Sequence, residues 1–296
     1  MPPVKKGPAV WRKKRGDYMD TIKKYRAEVF RATEKYALGE SPFYNPDQQK
    51  FSWVDIIKGR FYTLKGNEKT CFDFSKPLGA AVPVKGRDAY VLAAMDGLYV
   101  YENGRAELLY DLTKTFKPYI RCNDAKADSR GRIYFGSSVA DDVHEAEGDL
   151  YCYDNGNVRI VQPNTLIANG MAWNADQKHF YFSDSLEHAV FEYDYEEETG
   201  NILNRRVLFT VENGVPDGMC IDENDNLWVA VWGGRRIEKR SSASGELLAL
   251  IEVPAQNVTS CCFKEDGKTL FITTSGEGQS GEFDGCLFLC DTKGQT

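Results

Sequence analysis

Four polar side chains share one position relative to four turns of the sequence. Each lies five residues before the first Asn or Asp of a turn, and together they are Glu40, Asn123, Asn169 and Asp217. Carboxylate and amide oxygens are the ligands that hard divalent cations prefer. Brought together, these side chains would hold Ca²⁺, Mg²⁺ or Mn²⁺, with Zn²⁺ tolerated. The alternative for any one of them is a local role, in which Asn or Asp caps a turn by hydrogen bonding to the backbone.

A repeated strand–turn–strand unit sets this common spacing. Six polar turns are each followed by a short run rich in aromatic or β-branched residues, and these turns lie at 45–50, 85–88, 128–131, 174–178, 222–226 and 264–267. Such turns between such runs are typical of β-hairpins. Successive turns start roughly 40 to 48 residues apart, which is the spacing expected of propeller blades. The sequence therefore predicts an all-β fold, a six-bladed β-propeller.

The propeller geometry would bring the four polar side chains to one place. Five strand residues span about 17 Å, so a residue five positions before the turn lies at the opposite end of the innermost strand. Because all innermost strands surround the axis, the four side chains should converge on one mouth of the central channel. The same offset reaches Ala81 or Val82 in blade 2 and Cys261 in blade 6. Two blades would then supply no ligand, which leaves an open side for water and substrate.

The two ends of the chain suggest how the ring closes. The last repeat supplies one further strand at 286–291, and the segment 27–31 resembles an isolated strand that could pair with it. Within 17–26, apolar residues near helical spacing predict a short helix. We therefore assign residues 1–26 to a basic N-terminal extension and 27–296 to a single propeller domain.

Composition restricts the partners. The formal net charge is −7, and residues 1–16 carry six basic and no acidic residues, so the remainder carries −13. An acidic body argues against nucleic acid as the main partner, and no segment is apolar and long enough to span a bilayer. The eight cysteines include no CxxC pair and no signal-peptide pattern is visible, so we expect reduced thiols and a cytoplasmic protein. A homo-oligomer remains an open alternative.

An ordered set of local sequences resembles the SMP-30/gluconolactonase/luciferin-regenerating-enzyme family, which includes regucalcin. The stretches are LGESP (38–42), WVDI (53–56), RCNDAKAD (121–128), NGMAW (169–173), YFSDS (181–185), PDGMCID (216–222), LWVA (227–230) and TSCCF (259–263). The resemblance implies metal ligation by Glu40, Asn169 and Asp217, with Asn123 at the metal or the substrate. It also implies that Arg121 contacts substrate oxygens. A further substrate-binding acid aligns with Asp141, next to Asp142, and spacing does not choose between the two.

The chemistry that the resemblance implies is hydrolysis of a sugar (aldono) lactone with one divalent metal ion as cofactor. The metal would polarise the lactone carbonyl, and Asp217 would act catalytically by taking a proton from the attacking water. Arg121 and Asn123 would hold substrate oxygens, although Arg121 could instead form a structural ion pair with Asp124. A serine triad is disfavoured, since the chain has only three histidines and no GxSxG motif.

Two other functions stay open. One is a non-catalytic Ca²⁺-binding or interaction propeller, because a fold alone does not define a function. The other is a phosphotriesterase-like hydrolase, which a more apolar pocket would favour. We expect a polyol-binding rim instead, since charged residues occur in the loops that should surround the mouth: Asp141, Asp142, Arg235 and Arg236. Those loops are 58–60, 95–96, 137–148, 185–188, 232–235 and 275–285.

Overall fold

The computed structural model describes residues 22–30, 34–141 and 143–293, and within these ranges it contains strands and no helix. The strands form six antiparallel sheets, and the innermost strand of each sheet contacts those of the sheets before and after it in a closed cycle. The predicted six-bladed β-propeller is therefore confirmed. Among the described residues there is no helix that could cross a membrane.

Four of the blades are four-stranded and are built from consecutive segments. From the innermost to the outermost strand, they comprise Gly39–Asn45, Lys50–Asp55, Arg60–Lys65 and Glu68–Asp73 in blade 1; Leu78–Pro83, Ala89–Ala94, Gly97–Glu102 and Arg105–Asp111 in blade 2; Ile120–Ala127, Ile133–Val139, Gly148–Asp154 and Asn157–Thr165 in blade 3; and Ala168–Trp173, His179–Asp184, Ala189–Glu196 and Asn201–Thr210 in blade 4.

Blades 5 and 6 each recruit a strand from the N-terminal region. Blade 5 comprises Val215–Ile221, Asn226–Trp232, Arg236–Ser241, Leu247–Glu252 and the added strand Lys23–Arg26; blade 6 comprises Asn257–Phe263, Thr269–Ser275, Phe288–Asp291 and the added strand Glu28–Val29. All six predicted turns connect the innermost strand of a blade to its second strand.

Burial falls from the axis outwards. Every residue of Ala168–Trp173 is buried, whereas the outermost strand Arg105–Asp111 is exposed or half-buried throughout. Inner strands are covered on both faces by neighbouring blades, so they carry apolar side chains at consecutive positions rather than alternating ones. Large aromatic side chains such as Trp53 and Trp228 fill the spaces between blades, and burying each stabilises the fold by about 1.5–3 kcal/mol.

The ring closes as the sequence predicted. Glu28–Val29 pairs antiparallel with Phe288–Asp291, and the Phe30 amide donates a hydrogen bond to the Leu287 carbonyl at 2.8 Å. This pairing covers the edge that blade 6 would otherwise expose. Residue 31 of the predicted strand lies outside the described residues.

The helix predicted for 17–26 is wrong over its described part. Lys23–Arg26 is a strand that pairs in parallel with Leu247–Glu252, while residues 17–21 lie outside the described residues. From Lys24 onwards the burial alternates, since Tyr25 and Ala27 are buried between exposed residues and Tyr25 packs against Trp228, and this is the period of a strand. The free edge of blade 5 supplies hydrogen-bond partners that local spacing does not reveal, and the propeller therefore includes part of the segment that we assigned to the extension.

Removing residues 1–30 should destabilise the protein by about 3 kcal/mol or more, since it exposes Tyr25, Ala27 and two sheet edges. The free energy of unfolding is obtained from urea denaturation. A chain that begins at Ile22 keeps both added strands and serves as the control. Equal stability of the two truncated chains would contradict this role of the N-terminal strands.

Candidate functional site

The polar side chains lie where the innermost strands break their regular pairing. The pairing register shifts between Cys122 and Ala125, between Ala168 and Met171, and between Pro216 and Met219, and these interruptions contain Asn123, Asn169 and Asp217. Glu40 is the last paired residue before the equivalent shift in blade 1. A β-bulge re-aims the side chains of its strand. All four residues are buried and line one cavity of about 410 Å³.

Glycines allow the strands to approach each other at these bulges. Gly170 follows Asn169, and a Cβ atom added there would lie 2.5 Å from the Asp217 carbonyl oxygen. Gly218 follows Asp217, and its added Cβ would lie 2.2 Å from Ser260 Oγ. Neighbouring inner strands thus approach each other closely, which holds Asn169 and Asp217 of adjacent blades close together.

Hydrogen bonds in the turns identify the corresponding positions of blades 2 and 6. In blade 4 the backbone amide of Asn174, the first residue of the turn, donates to the His179 carbonyl. The equivalent bonds run from the Val84 amide to the Ala89 carbonyl in blade 2 and from the Lys264 amide to the Thr269 carbonyl in blade 6. Five residues before Val84 and Lys264 lie Gly79 and Thr259, so the positions that we predicted, Ala81 or Val82 and Cys261, are shifted by two or three residues. Thr259 Oγ1 donates to the Gly39 carbonyl at 2.6 Å. Neither blade supplies a carboxylate or amide side chain at this level.

The amide side chains are held by hydrogen bonds that reach the neighbouring blade, directly for Asn123 and through Ser185 for Asn169. Asn169 Nδ2 donates to Ser185 Oγ at 3.1 Å, and Ser185 Oγ donates to the Pro216 carbonyl at 2.8 Å. Asn123 Nδ2 donates to the Ala168 carbonyl at 3.0 Å, while its Oδ1 accepts from Arg121 Nη1 at 2.7 Å. The structure thus pairs Asn123 with Arg121. Arg121 makes no ion pair with Asp124 and donates instead to Asn123 and to the Cys122 carbonyl.

The two carboxylates at the centre of the site repel each other, and the charge of Arg121 only partly opposes the rise in their pKa values. Burial raises the pKa of Glu40 well above its ordinary value, and the charges of Asp217 and Asp124 raise it further. Burial is also the main cause that raises the pKa of Asp217, and the charge of Asp124 raises it further. Neither Glu40 nor Asp217 forms an ion pair with a described residue. Buried charges of like sign are costly unless a cation or protons compensate them.

This donor set fits a divalent cation. It combines two carboxylates with amide oxygens, which suits hard cations. The two carboxylates alone do not make a metal site. Among the described residues there is also no group of three or more His, Cys, Asp or Glu side chains that could hold a metal. Any ligand set at this mouth therefore depends on the asparagines.

Lys126 connects three blades beneath the carboxylates. Its Nζ donates to the carbonyls of Met171 and Met219, each two residues beyond Asn169 and Asp217. Burial raises the pKa of the Asp124 carboxyl, and the Lys126 charge opposes that rise. Lys126 thus fixes the spacing of the strands from blades 4 and 5 and balances the third buried acid.

The cavity wall is mostly apolar. It consists of Leu38, Ile56, Ile167, Leu186, Val215 and Trp232, together with Ser185 and the carboxylate-bearing Glu277. Three of the expected loops contribute: 185–188, 232–235 and 275–285. The other three expected loops do not line this cavity. Residues 137 and 146–148 of one of them line a separate cavity of about 360 Å³ on blade 3. Trp232 and Glu277 were not identified individually from the sequence, since nothing in a loop pattern shows which side chain turns inwards.

Three of the charged residues that we expected around the mouth do not line this cavity. Asp141 accepts hydrogen bonds from the amides of Val143 and His144 and from His144 Nδ1, and it does not line the cavity. Arg235 bonds to Gln256, and Arg236 pairs with Glu238. Asp142 lies outside the described residues. Asp141, Arg235 and Arg236 are thus engaged in contacts outside the cavity lining, and the polyol-binding rim stays a prediction.

Fold and site together define a propeller with one polar centre at a mouth of its axial channel. Residues 38–276 match the family described as SGL, the SMP-30/Gluconolactonase/LRE-like region. The chain belongs to this family, as its local sequences indicated.

Curated relatives and solved structures agree with this assignment. The chain is 32% identical to a regucalcin of Danio rerio over 257 residues, covering 84% of this chain and 86% of that protein. It is 34% identical to pentonolactonase XacC of Haloferax volcanii over 275 residues, covering 86% and 90%. The structure of a luciferin-regenerating enzyme superposes with a TM-score of 0.85 at 29% identity, covering 91% of this chain and 96% of that one.

Replacing Lys126 with Met should lower the free energy of unfolding by about 2 kcal/mol, since it removes the donor to two inner carbonyls and the charge that opposes Asp124. Urea denaturation measures the change. Lys114→Met, at an exposed lysine, is the matched control. A loss no larger than that of the control would show that Lys126 does not hold the inner strands together.

Proposed function

We propose that this protein is a metal-dependent lactonase that opens a sugar (aldono) lactone to the aldonic acid. Glu40, Asn169 and Asp217 would hold one divalent cation, and Arg121 and Asn123 would orient the substrate. The observation that carries the proposal is the pair of buried carboxylates at the mouth of the channel, which form no ion pair with a described residue and keep raised pKa values despite the charge of Arg121. The pentonolactonase name of one relative supports the substrate class.

The reaction adds water to the lactone carbonyl carbon and breaks its bond to the ring oxygen. A bound divalent cation would polarise that carbonyl. Asp217 lies in the cavity, takes a proton from the attacking water and returns that proton to the ring oxygen as its bond to the carbonyl carbon breaks. A carboxylate next to a cation has a lowered pKa and is a weak base, so Asp217 alone does not account for activation of the water.

The guanidinium of Arg121 is positioned for substrate oxygens. Its Nη1 bonds to Asn123 Oδ1 and to the Cys122 carbonyl, which fixes the group in the cavity wall. A fixed donor that faces a carbonyl or hydroxyl oxygen needs no reorganisation during the reaction. Arg121 would therefore hold the lactone in one orientation above the carboxylates.

Histidine chemistry finds no support at this site. None of the three histidines lines the cavity: His144 stacks on Tyr119 with ring centroids 3.6 Å apart, and His179 pairs with Glu192. The phosphotriesterase-like alternative, by contrast, has support from the apolar wall, since an apolar cavity also suits a neutral phosphotriester. The experiment below therefore includes a phosphotriester substrate.

The proposal is tested by offering the purified protein a panel of γ- and δ-aldonolactones and following acid release with a pH indicator. We expect turnover with Ca²⁺, Mg²⁺, Mn²⁺ or Zn²⁺ that is lost with chelator and restored by metal. Asp217→Ala should reduce kcat/KM by about 10³-fold or more and abolish metal binding. Asp47→Ala, at an exposed turn, is the control.

Each negative result has a distinct meaning. If no lactone opens faster than background in any of these cations, the lactonase proposal fails. Turnover of an aryl dialkyl phosphate without turnover of any lactone would favour the phosphotriesterase-like alternative. Metal bound by Asp217→Ala at wild-type affinity would contradict the ligand set.

A further inference from the structure

One charged side chain of the cavity has no part in the proposed reaction. Glu277 follows the second strand of blade 6, Thr269–Ser275, and lines the same cavity as Arg121, Glu40 and Asp217. It is exposed, and its carboxylate accepts no hydrogen bond from any residue that the structure describes. An acid at this place is available to a ligand that enters the cavity.

The backbone around Glu277 is held in place. The Glu277 amide donates to the Ala37 carbonyl at 3.0 Å and to Ser275 Oγ at 3.1 Å. Further along the loop, Asp284 accepts hydrogen bonds from the amides of Gly281 and Gln256, each at 2.7 Å. These contacts anchor both ends of the loop, so Glu277 has a defined place at the mouth.

Glu277 and Arg121 belong to opposite sides of the ring. Arg121 is in blade 3 and Glu277 in blade 6, and in a six-bladed ring these two blades face each other across the axis. Burial disfavours the charged form of Arg121, while the carboxylates of Glu40, Asp217 and Glu277 favour it. A small substrate above the central carboxylates would therefore meet a hydrogen-bond donor on one side and an acceptor on the other.

The charges of the site balance only for a neutral substrate. A divalent cation would offset Glu40 and Asp217, and Lys126 offsets Asp124. Arg121 and Glu277 then remain, with a sum of zero. The other residues of the wall are uncharged. They therefore cannot compensate for an additional charge on the substrate.

We propose that Glu277 is a specificity-determining residue, which accepts hydrogen bonds from hydroxyl groups of a neutral lactone and repels lactones that carry a carboxylate or phosphate group. This inference rests on the proposed lactonase function and defines its substrate class. Loss of the Glu277 charge would leave Arg121 unbalanced and make the cavity attractive to anions.

The test compares kcat/KM for a neutral aldonolactone and for the same ring carrying a carboxylate, in the metal-loaded protein at pH 7. The wild-type protein should prefer the neutral lactone. In Glu277→Gln the preference should shift by about tenfold towards the anionic lactone, while KM for the neutral lactone rises. Raising the ionic strength should weaken the preference of the wild-type protein more than that of the variant. Glu282→Gln, an exposed acid of the same loop that does not line the cavity, should leave the preference unchanged.

A binding measurement separates this inference from the proposed function. Neutral and carboxylated aldonolactams, which lack the ester bond, are titrated calorimetrically against wild type and variants. Preference for the neutral lactam that is lost in Glu277→Gln supports the inference even if no lactone is hydrolysed. A preference that changes less than twofold in Glu277→Gln, an equal change in Glu282→Gln, or no binding of either lactam to the wild-type protein would overturn it.

Discussion

The close approach of the innermost strands at the axis determines the rest of the site. Gly170 and Gly218 allow backbone contact between neighbouring blades, and each follows directly after a residue that points into the channel. In blade 1 the corresponding residue after Glu40 is Ser41, which takes a positive φ of 50°. A left-handed conformation at a non-glycine residue costs of order 1–3 kcal/mol. The tight packing of the ring therefore includes backbone strain beside Glu40.

The same packing concentrates negative charge. Glu40, Asp124 and Asp217 are all buried near the axis, and their pKa values are raised although Lys126 opposes the rise at Asp124 and Arg121 opposes it at Glu40 and Asp217. Backbone contacts that bring the strands together thus also bring together carboxylates that repel one another. A divalent cation would relieve this repulsion, and the apolar wall would strengthen its electrostatic effect on a substrate by excluding water. The geometry that holds the ring together is in this way the geometry that favours metal binding.

Much of the architecture followed from the sequence because propeller repeats are local. A turn and the strand before it form one unit, so counting back from Asn174 or Asp222 reached Asn169 and Asp217 without any knowledge of the tertiary structure. Counting failed in blades 2 and 6, because no Asn or Asp marks the start of the turn there. The turn hydrogen bonds show that these turns start at Val84 and Lys264 instead.

The strand Lys23–Arg26 was missed because its partner lies more than 220 residues away, on the outer edge of blade 5. The sequence also did not show which loop side chains turn towards the mouth. Arg235 is in the expected loop and Arg236 begins the strand that follows it, but a hydrogen bond holds Arg235 to Gln256 and an ion pair holds Arg236 to Glu238.

The central claim is that one cation binds at the mouth of the axial channel, between blades 1, 4 and 5. It is tested most directly by diffraction from crystals grown with Mn²⁺, with data collected at a wavelength at which manganese scatters anomalously. We predict one strong anomalous peak within about 2.0–2.6 Å of oxygen atoms of Glu40, Asn169 and Asp217. The absence of a peak there, or a peak only at a site that these three residues do not reach, would contradict the account.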